Sequence, residues 1–182
     1  MLIVISGPSG VGKGTVIKEL IKRNPAISLA ISYTTRPRRN GERNGAEYHF
    51  VDEATFSKTD FLEWAEVHGA KYGTPNIPYE GDVVFEVDMQ GAKSIKQKCP
   101  ACVSIFLVPP SEEELVSRLQ KRNTETNKEI KVRLTTAKKE MKSQFDYDYV
   151  IVNKALENTI EKVEGVIQME SNKRKGGTSH GK

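Results

Sequence analysis

The chain has 182 residues, a length that fits one domain or one domain with small insertions. Hydrophobic residues make up 37% of it, and no apolar run approaches the ~20 residues needed to span a bilayer. Lys and Arg number 28 against 24 for Asp and Glu, and a formal charge of +4 is too small to indicate nucleic acid by itself. We therefore expect a globular domain with neither a membrane nor a nucleic acid as its partner; the sequence does not indicate an oligomeric state.

The first six residues lack both the basic region and the long apolar region of a signal peptide. Their short apolar run at 2–5 instead predicts a strand that is buried on both faces. A cytoplasmic location is the expectation that follows.

Apolar runs and amphipathic segments alternate along the chain, a pattern typical of an α/β fold with a parallel sheet and crossover helices. A continuous apolar run predicts a strand at 2–5, and mostly apolar segments predict strands at 83–87, 103–108 and 149–152. Helical spacing predicts helices at 13–23, at 89–98, from 112 towards 122, at 128–144 and at 155–169. Ser111 and Glu114 fit a capping box at the start of the third of these helices.

The stretch 29–79 has a different pattern, with short segments of alternating apolar and polar residues and one helix candidate near 52–58. Short strands are expected at 47–50 and 63–66. We interpret this stretch as a mostly β insertion on the core, of the kind that usually carries substrate contacts. His49 and His68 lie within it and are expected to be structural.

Cys99 and Cys102 form a C-x-x-C pair. Redox or metal chemistry would need a thioredoxin-like context or a second pair of ligands, and the sequence has neither. We expect Cys99 to close a helix and Cys102 to open a strand.

Residues 7–15 read Gly-Pro-Ser-Gly-Val-Gly-Lys-Gly-Thr and match the phosphate-binding pattern G-x-x-x-x-G-K between a strand and a helix. The glycines let backbone N–H groups wrap a polyanion, and the helix N-terminus adds partial positive charge. Lys13 adds a point charge for the β- and γ-phosphates. This P-loop predicts that a nucleoside triphosphate is bound by Gly7, Pro8, Ser9, Gly10, Val11, Gly12, Lys13, Gly14 and Thr15.

Gly14 stands where the common pattern has a Ser or Thr that ligates Mg²⁺, and Thr15 comes one residue late. We therefore assign no direct protein ligand to the metal. Mg²⁺ is expected to be held through phosphates and water, with Thr15 as a candidate hydroxyl.

Hydroxyl and guanidinium side chains are dense at 32–39. Because arginine can bind phosphate oxygens through two parallel hydrogen bonds, this group suits a second phosphate.

Together these features resemble the guanylate kinase family from residue 3 to about residue 167. The resemblance rests on the motifs at 7–15, 32–39, 44–50, 61–65, 72–75, 88–92, 105–111 and 148–153. It implies a three-layer P-loop NTPase core with a parallel sheet, a mostly β GMP-binding flap and a helical lid. It also implies ATP-dependent phosphorylation of GMP, and of dGMP, to GDP with Mg²⁺, in purine nucleotide metabolism and GMP recycling.

Carried over position by position, the resemblance assigns the acceptor site. The GMP phosphate would be held by Arg36, Arg39, Tyr48 and Tyr72, and the guanine by Ser32, Glu63, Thr74 and Asp88. Guanine presents N1–H and N2–H₂ donors, and a carboxylate such as Glu63 can accept from both. Adenine has no such donor pair, so buried carboxylates would be left uncompensated.

The polar stretch 123–127 lies between two helices and resembles the family's lid. In that lid Arg118, Arg122 and Arg133 would reach the transferring phosphoryl group, and Arg118 is also assigned to ATP. A helical hairpin whose basic residues face solvent is the alternative, and it is most credible for Arg118. Asn153 is expected near adenine. The implied catalytic residues are Lys13, Arg36, Arg122 and Arg133.

The implied organisation has a core, a flap, a lid and a tail. The core is 1–31, 80–117 and 137–170, the flap is 32–79, the lid is 118–136, and 171–182 is a disordered tail. The segment 75–82 is shorter than in the family, which usually has a helix beneath the flap there.

Two other functions stay open. One is a catalytically inactive guanylate-kinase-like module that binds proteins, against which Lys13 and the P-loop glycines argue. The other is a kinase for a different nucleoside monophosphate, against which Glu63 and Asp88 argue.

Overall fold

The computed structural model describes residues 1–67, 69–121 and 127–176. In chain order they form β1 (Leu2–Ser6), α1 (Lys13–Arg23), β2 (Ile27–Ala30), β3 (Tyr33–Thr34), β4 (His49–Phe50), α2 (Glu53–Lys58), β5 (Phe61–Val67), β6 (Ala70–Pro75), β7 (Asp82–Glu86), α3 (Met89–Lys98), β8 (Val103–Val108), α4 (Glu112–Lys121), α5 (Asn127–Met141), β9 (Tyr149–Val152) and α6 (Leu156–Gly176). A short 3₁₀ turn, Lys142–Asp146, follows α5. Within these ranges, no helix combines the length and the apolar character that crossing a bilayer requires.

The larger sheet is parallel, with strand order β2-β7-β1-β8-β9. The chain leaves β1 towards β2 and β7 on one side and later returns to β8 and β9 on the other. In open α/β sheets, ligands bind outside the carboxyl ends of the strands at such a reversal of strand order. The P-loop follows β1 directly and therefore lies at this point.

Both faces of the larger sheet are covered, as β1 shows by its alternating side chains. Ile3 and Ile5 pack in one buried cluster with Leu20 of α1. Val4 points to the opposite face and packs in a second cluster with Ile95 of α3. The fold is therefore a three-layer α/β structure, as predicted.

Helix α1 forms because its apolar residues share one face. Val16, Ile17 and Leu20 are buried, a spacing that fits 3.6 residues per turn. The helix ends at Asn24, whose backbone N–H and side-chain Nδ2 both donate to Leu20 O. Its start at Gly12 has no side-chain cap, so no capping side chain accepts from the first backbone N–H groups of the helix.

The smaller sheet has strand order β4-β3-β6-β5 and forms the flap together with α2. Strands β5 and β6 pair antiparallel, with Trp64 opposite Gly73. A Cβ at Gly73 would lie 2.7 Å from the Phe61 ring, so the glycine provides the space for this aromatic packing. Phe56 of α2 packs on Phe61 with 4.4 Å between ring centroids.

Helices α4 and α5 lie at the lid position and pack through a small cluster of Leu115, Leu119, Ala137 and Leu134. Residues 122–126 between them, including Arg122 and Asn123, lie outside the described residues, as does His68.

The C-terminal expectation needs a correction. Helix α6 was predicted to end at 169 and 171–182 to be disordered, but α6 continues to Gly176. Its last turns are held by side-chain contacts, since Tyr149 donates to Glu170 at 2.5 Å and Arg174 donates to Ala101 O. Residues 177–182 lie outside the described residues.

Further differences concern element bounds, and β3 and β6 were not predicted as strands. Strand β2 was not predicted, and residues 29–30, which were counted with the insertion by pattern, belong to the edge of the larger sheet. The helix expected at 128–144 ends at Met141 and tightens into the 3₁₀ turn, because the chain must reverse before β9 begins. The bounds of α1, α3, β8 and β9 agree with the predictions.

Residues 76–81 join β6 to β7 without a helix. The Tyr79 ring packs on Phe85 with 5.0 Å between centroids, and its hydroxyl donates to Pro75 O at 2.7 Å. The short connection is therefore anchored to the core by one aromatic side chain.

Candidate functional site

A cavity of about 520 Å³ lies between the P-loop, the flap, the carboxyl end of β7 and α5. Among the residues that line it are most of those predicted from the sequence: Gly7, Ser9, Gly10, Gly12, Lys13, Gly14, Ser32, Arg36, Arg39, Tyr48, Glu63, Tyr72, Asp88 and Arg133. Two carboxylates that the sequence analysis did not single out, Glu86 and Glu140, line it as well. The fold therefore brings the predicted donor and acceptor residues to one cavity.

The P-loop needs glycine at specific positions. Gly7 has φ 148° and Gly12 has φ 101°, conformations that side-chain-bearing residues rarely adopt. A Cβ at Gly7 would lie 2.4 Å from Leu107 O, and one at Gly12 would lie 2.8 Å from Asn153 Nδ2. The loop therefore packs closely against β8 at Gly7 and against the end of β9 at Gly12.

Lys13 curls over its own loop. Its Nζ donates to Gly7 O at 2.7 Å and to Pro8 O at 3.4 Å, and its side chain borders the cavity. The ammonium group therefore stands beside the loop N–H groups, where it can add charge to an anion that they bind.

Asn153 and Arg118 support the P-loop from behind. Asn153 is buried and donates from Nδ2 to Val11 O at 2.8 Å. Arg118 donates to Val11 O and to Asn153 O, both at 3.0 Å. The alternative that Arg118 faces solvent is therefore wrong. Neither side chain is among those that line the cavity, so their contact with ATP stays a prediction.

Helix α5 meets the P-loop at Ser9. Arg133 Nη1 lies 3.5 Å from Ser9 Oγ, and Glu140 Oε2 accepts from Ser9 N at 3.2 Å. These two residues of α5 are seven positions apart and therefore share one face of the helix. Arg133, which was predicted as a lid arginine, therefore lies beside Ser9 of the P-loop.

The acceptor-phosphate residues gather around Arg36. Its Nε donates to the Tyr72 hydroxyl at 3.2 Å, and its guanidinium carbon lies 5.7 Å from the centre of the Tyr48 ring. Burial, together with the charge of Glu86, raises the pKa of Tyr48, so this phenol keeps its proton and can donate a hydrogen bond. Arg39 borders the same part of the cavity.

The predicted guanine residues form a connected chain. Glu63 is 6% exposed, and its Oε1 accepts from Thr74 N at 3.1 Å and from Thr74 Oγ1 at 2.6 Å. Ser32 Oγ lies 3.1 Å from Thr74 Oγ1. Burial, with the nearby charge of Asp88, raises the pKa of Glu63. A buried carboxylate that is short of donors is what guanine N1–H and N2–H₂ would satisfy.

Asp88 has two roles in this geometry. It caps α3, because Oδ1 accepts from Gly91 N at 2.9 Å, and it lies at the edge of the cavity. The cap fixes the carboxylate beside the place where Glu63 approaches Gly91, and a Cβ at Gly91 would lie only 2.5 Å from Glu63 Oε2.

Glu86 was missed by the sequence analysis. It ends β7, pairs with Ile5 at the end of β1, and its carboxylate lies 3.5 to 3.6 Å from where a Cβ on Gly14 would be. In P-loop proteins an acidic residue at the end of a neighbouring strand helps to hold Mg²⁺. The signal in the sequence was an acidic residue directly after the apolar run 83–85. Among the described residues, no group of three His, Cys, Asp or Glu side chains could hold a metal ion without other ligands.

The comparisons with known proteins agree on one family. The guanylate kinase family model matches residues 1–170. Curated guanylate kinases of Clostridioides difficile (strain 630) and of Prochlorococcus marinus subsp. pastoris are each 45% identical to this chain, covering 95% and 92% of it and 89% and 96% of their own lengths. The crystal structure of guanylate kinase from Anaplasma phagocytophilum has a TM-score of 0.77 at 32% identity, covering 93% of this chain and 85% of its own. A gluconokinase from Sinorhizobium meliloti 1021, at 15% identity and a TM-score of 0.55, shares only the fold.

Proposed function

The chain belongs to the guanylate kinase family, and we propose that the cavity described above carries out ATP-dependent phosphorylation of GMP, and of dGMP, to GDP. One observation carries the proposal: the P-loop with Lys13 and the buried Glu63 with its hydroxyl partners open into the same cavity. A donor site for a triphosphate and an acceptor site for a guanine nucleotide therefore face each other. The intact P-loop argues against a module that only binds proteins.

On the donor side, the P-loop N–H groups and Lys13 would hold the β- and γ-phosphates of ATP. When bound, Mg²⁺ neutralises phosphate charge as the phosphoryl group transfers. The residues present fit that ion, because the Glu86 carboxylate lines the cavity beside Gly14 and would hold the ion through its water shell. Arg118 and Asn153 would keep the P-loop in place through their hydrogen bonds to Val11 O.

On the acceptor side, Arg36, Arg39, Tyr48 and Tyr72 would bind the GMP phosphate. Ionised Glu63 would accept from guanine N1–H and N2–H₂, while Thr74 aligns that carboxylate by its hydrogen bonds and Ser32 contacts Thr74 in turn. Asp88 would contribute a second acceptor at the rim. AMP would leave Glu63 without its donors, so it would be a poor substrate.

The transfer would be direct and in line, without a covalent enzyme intermediate. Positioning and charge neutralisation supply most of the catalysis in such reactions. Arg133, with Arg122, would complete the positive cage around the transferring group as flap 32–79 and lid 118–136 close on the core. Closure would also exclude water and so limit wasteful hydrolysis of ATP.

A coupled assay of the purified protein with ATP and Mg²⁺ tests this function, offering GMP, dGMP, AMP, CMP and dTMP in turn. We expect turnover with GMP and dGMP only. Absence of turnover with all acceptors would support the protein-binding module instead, and a preference for AMP or dTMP would overturn the role of Glu63. ATP consumption without an acceptor serves as the background.

A further inference from the structure

Arg36 and Glu42 form a two-pronged ion pair in the flap. Arg36 Nη2 donates to Glu42 Oε1 at 2.8 Å, and Nη1 donates to Oε2 at 3.1 Å. The side chains are only 13% and 17% exposed, so water screens the pair less than it would on an open surface. This is the parallel geometry in which arginine and carboxylate bind most specifically.

Glu42 is fixed from a second direction. Its Oε2 also accepts from Arg39 N at 2.7 Å, so the carboxylate ties together the two arginines assigned to the acceptor phosphate. Burial acts against ionisation of Glu42, but the hydrogen bonds from Arg36 and Arg39 outweigh it and lower its pKa. The carboxylate therefore stays charged at neutral pH.

The hydrogen bonds of Arg36 are almost fully used by the protein. Its guanidinium has five N–H groups. Nε donates to Tyr72, Nη1 donates to Pro37 O at 2.7 Å and to Glu42, and Nη2 donates to Glu42. These four bonds leave one N–H, on Nη2, for a ligand, and they fix its direction.

Glu42 does not border the cavity. Arg36, Pro37 and Arg39 line the cavity, whereas Glu42 is not among its lining residues. A carboxylate that merely occupied the place of the acceptor phosphate would border the cavity. A carboxylate that contacts both arginines without lining the cavity fits a group that aims them.

We propose that Glu42 is a positioning residue for the acceptor phosphate, holding Arg36 and the backbone at Arg39 so that both arginines face the GMP phosphate. The inference rests on the proposed function and deepens it. The site binds phosphate through a pre-oriented pair of arginines, so that little rotamer freedom is lost when GMP enters.

Three variants of Glu42 separate charge, length and packing. Glu42→Gln keeps the shape and one acceptor oxygen but removes the charge and one of the two hydrogen bonds with the guanidinium. Glu42→Asp keeps the charge on a shorter side chain. Glu42→Ala removes both the charge and the length of the side chain. Glu53→Gln is the matched control, because Glu53 forms another flap ion pair, with Lys71 at 2.6 Å, yet is 63% exposed and does not line the cavity. Steady-state kinetics with GMP varied and ATP varied, and a thermal melt of each protein, complete the set.

We expect Glu42→Gln to raise KM for GMP about 10-fold and Glu42→Ala to raise it further, since small misplacements of a binding group can cost up to ~100-fold. Glu42→Asp should recover part of the loss. KM for ATP should stay within about twofold in all variants, and Glu53→Gln should match the wild type.

A fall in KM for GMP would overturn the proposal and show that Glu42 competes with the phosphate. If KM for GMP and KM for ATP rose by the same factor and the melting temperature fell, the proposal would be overturned in favour of a purely structural role. Wild-type protein that fails to phosphorylate GMP would refute the proposed function itself, so the two failures are distinguishable.

Discussion

The donor and acceptor halves of the cavity are built in different ways. The donor half comes from nine consecutive residues, 7–15, and much of its binding surface is backbone N–H. The acceptor half comes from side chains between Ser32 and Asp88, on β5 and β6, in the segments beside β3 and β4, and at the start of α3. A site made of backbone can be recognised in a short motif, whereas a site made of side chains depends on how distant strands pair.

The two halves also differ in what supports them. The P-loop is held by Asn153 and Arg118, which come from the C-terminal half of the chain. The guanine site is held by a chain of hydrogen bonds from Glu63 through Thr74 to Ser32 within the flap. Substitutions in one half should therefore alter the kinetics of one substrate with little effect on the other.

The largest effect is expected for Lys13→Ala. Removing the ammonium group from the donor half should lower kcat by about 1,000-fold, the scale seen when one pre-organised charge-stabilising group is lost. GMP binding should be almost unchanged, which calorimetry without ATP can measure. Lys22→Ala, on the exposed face of the same helix, is the control. Substantial GDP formation by Lys13→Ala would contradict the mechanism.

Glu63→Gln should be nearly as severe, but on the acceptor half. The amide offers one acceptor oxygen where the carboxylate offers two, so kcat/KM for GMP should fall by at least ~100-fold, while KM for ATP is retained. Glu66→Gln on the exposed side of the same strand controls for the flap. If both variants behaved alike, Glu63 would have no part in reading guanine.

Gly91→Ala tests how closely α3 approaches the acceptor carboxylate. The added Cβ would lie 2.5 Å from Glu63 Oε2, so the carboxylate or the helix must shift, and we expect KM for GMP to rise about 10-fold. Gly165→Ala on α6 is the matched control, because a Cβ there meets nothing within 4 Å. That control should instead stabilise the protein by up to ~1 kcal/mol. An unchanged KM for Gly91→Ala would show that Glu63 orientation is not decisive.

Asn153→Ala should weaken the donor half moderately. Val11 O would keep its bond from Arg118 but lose the one from Asn153, and the unfolding free energy should fall by about 1–3 kcal/mol. KM for ATP should rise several-fold and KM for GMP should not. A rise in KM for GMP alone would contradict the division into two independent halves.

The smallest expected effect is a pH dependence of stability. Burial raises the pKa of Glu63 above its ordinary 4.5, so the folded protein holds this proton more tightly than the unfolded chain. The unfolding free energy should therefore fall as pH rises from about 4.5 through the folded-state pKa, and be flat above it. Urea unfolding of the wild type and of Glu63→Gln across this range measures the slope of the unfolding free energy against pH. This slope should be smaller for the variant. Equal slopes would mean that Glu63 titrates normally.

Much of the fold was predictable because its signals are local. Helix α1 has its buried face at helical spacing, and β8 is apolar at every position but Ser104, so the bounds of both elements agree with the sequence. Strand β2 was missed because it has only four residues and lies at a sheet edge, where only its pairing with β7 identifies it. The length of α6 depended on contacts with Tyr149 and Ala101, which no local pattern reveals.

By itself, the sequence predicted a triphosphate site at 7–15, since the P-loop is a local arrangement of glycines, one lysine and a helix start. It also supplied the residue types of the acceptor half. Only the tertiary structure decided which of these side chains meet: Glu63 with Thr74 and Ser32, Arg36 with Glu42, and Glu86 beside Gly14. The reason is physical, because strand pairing and burial set those distances, and both depend on residues far apart in the chain.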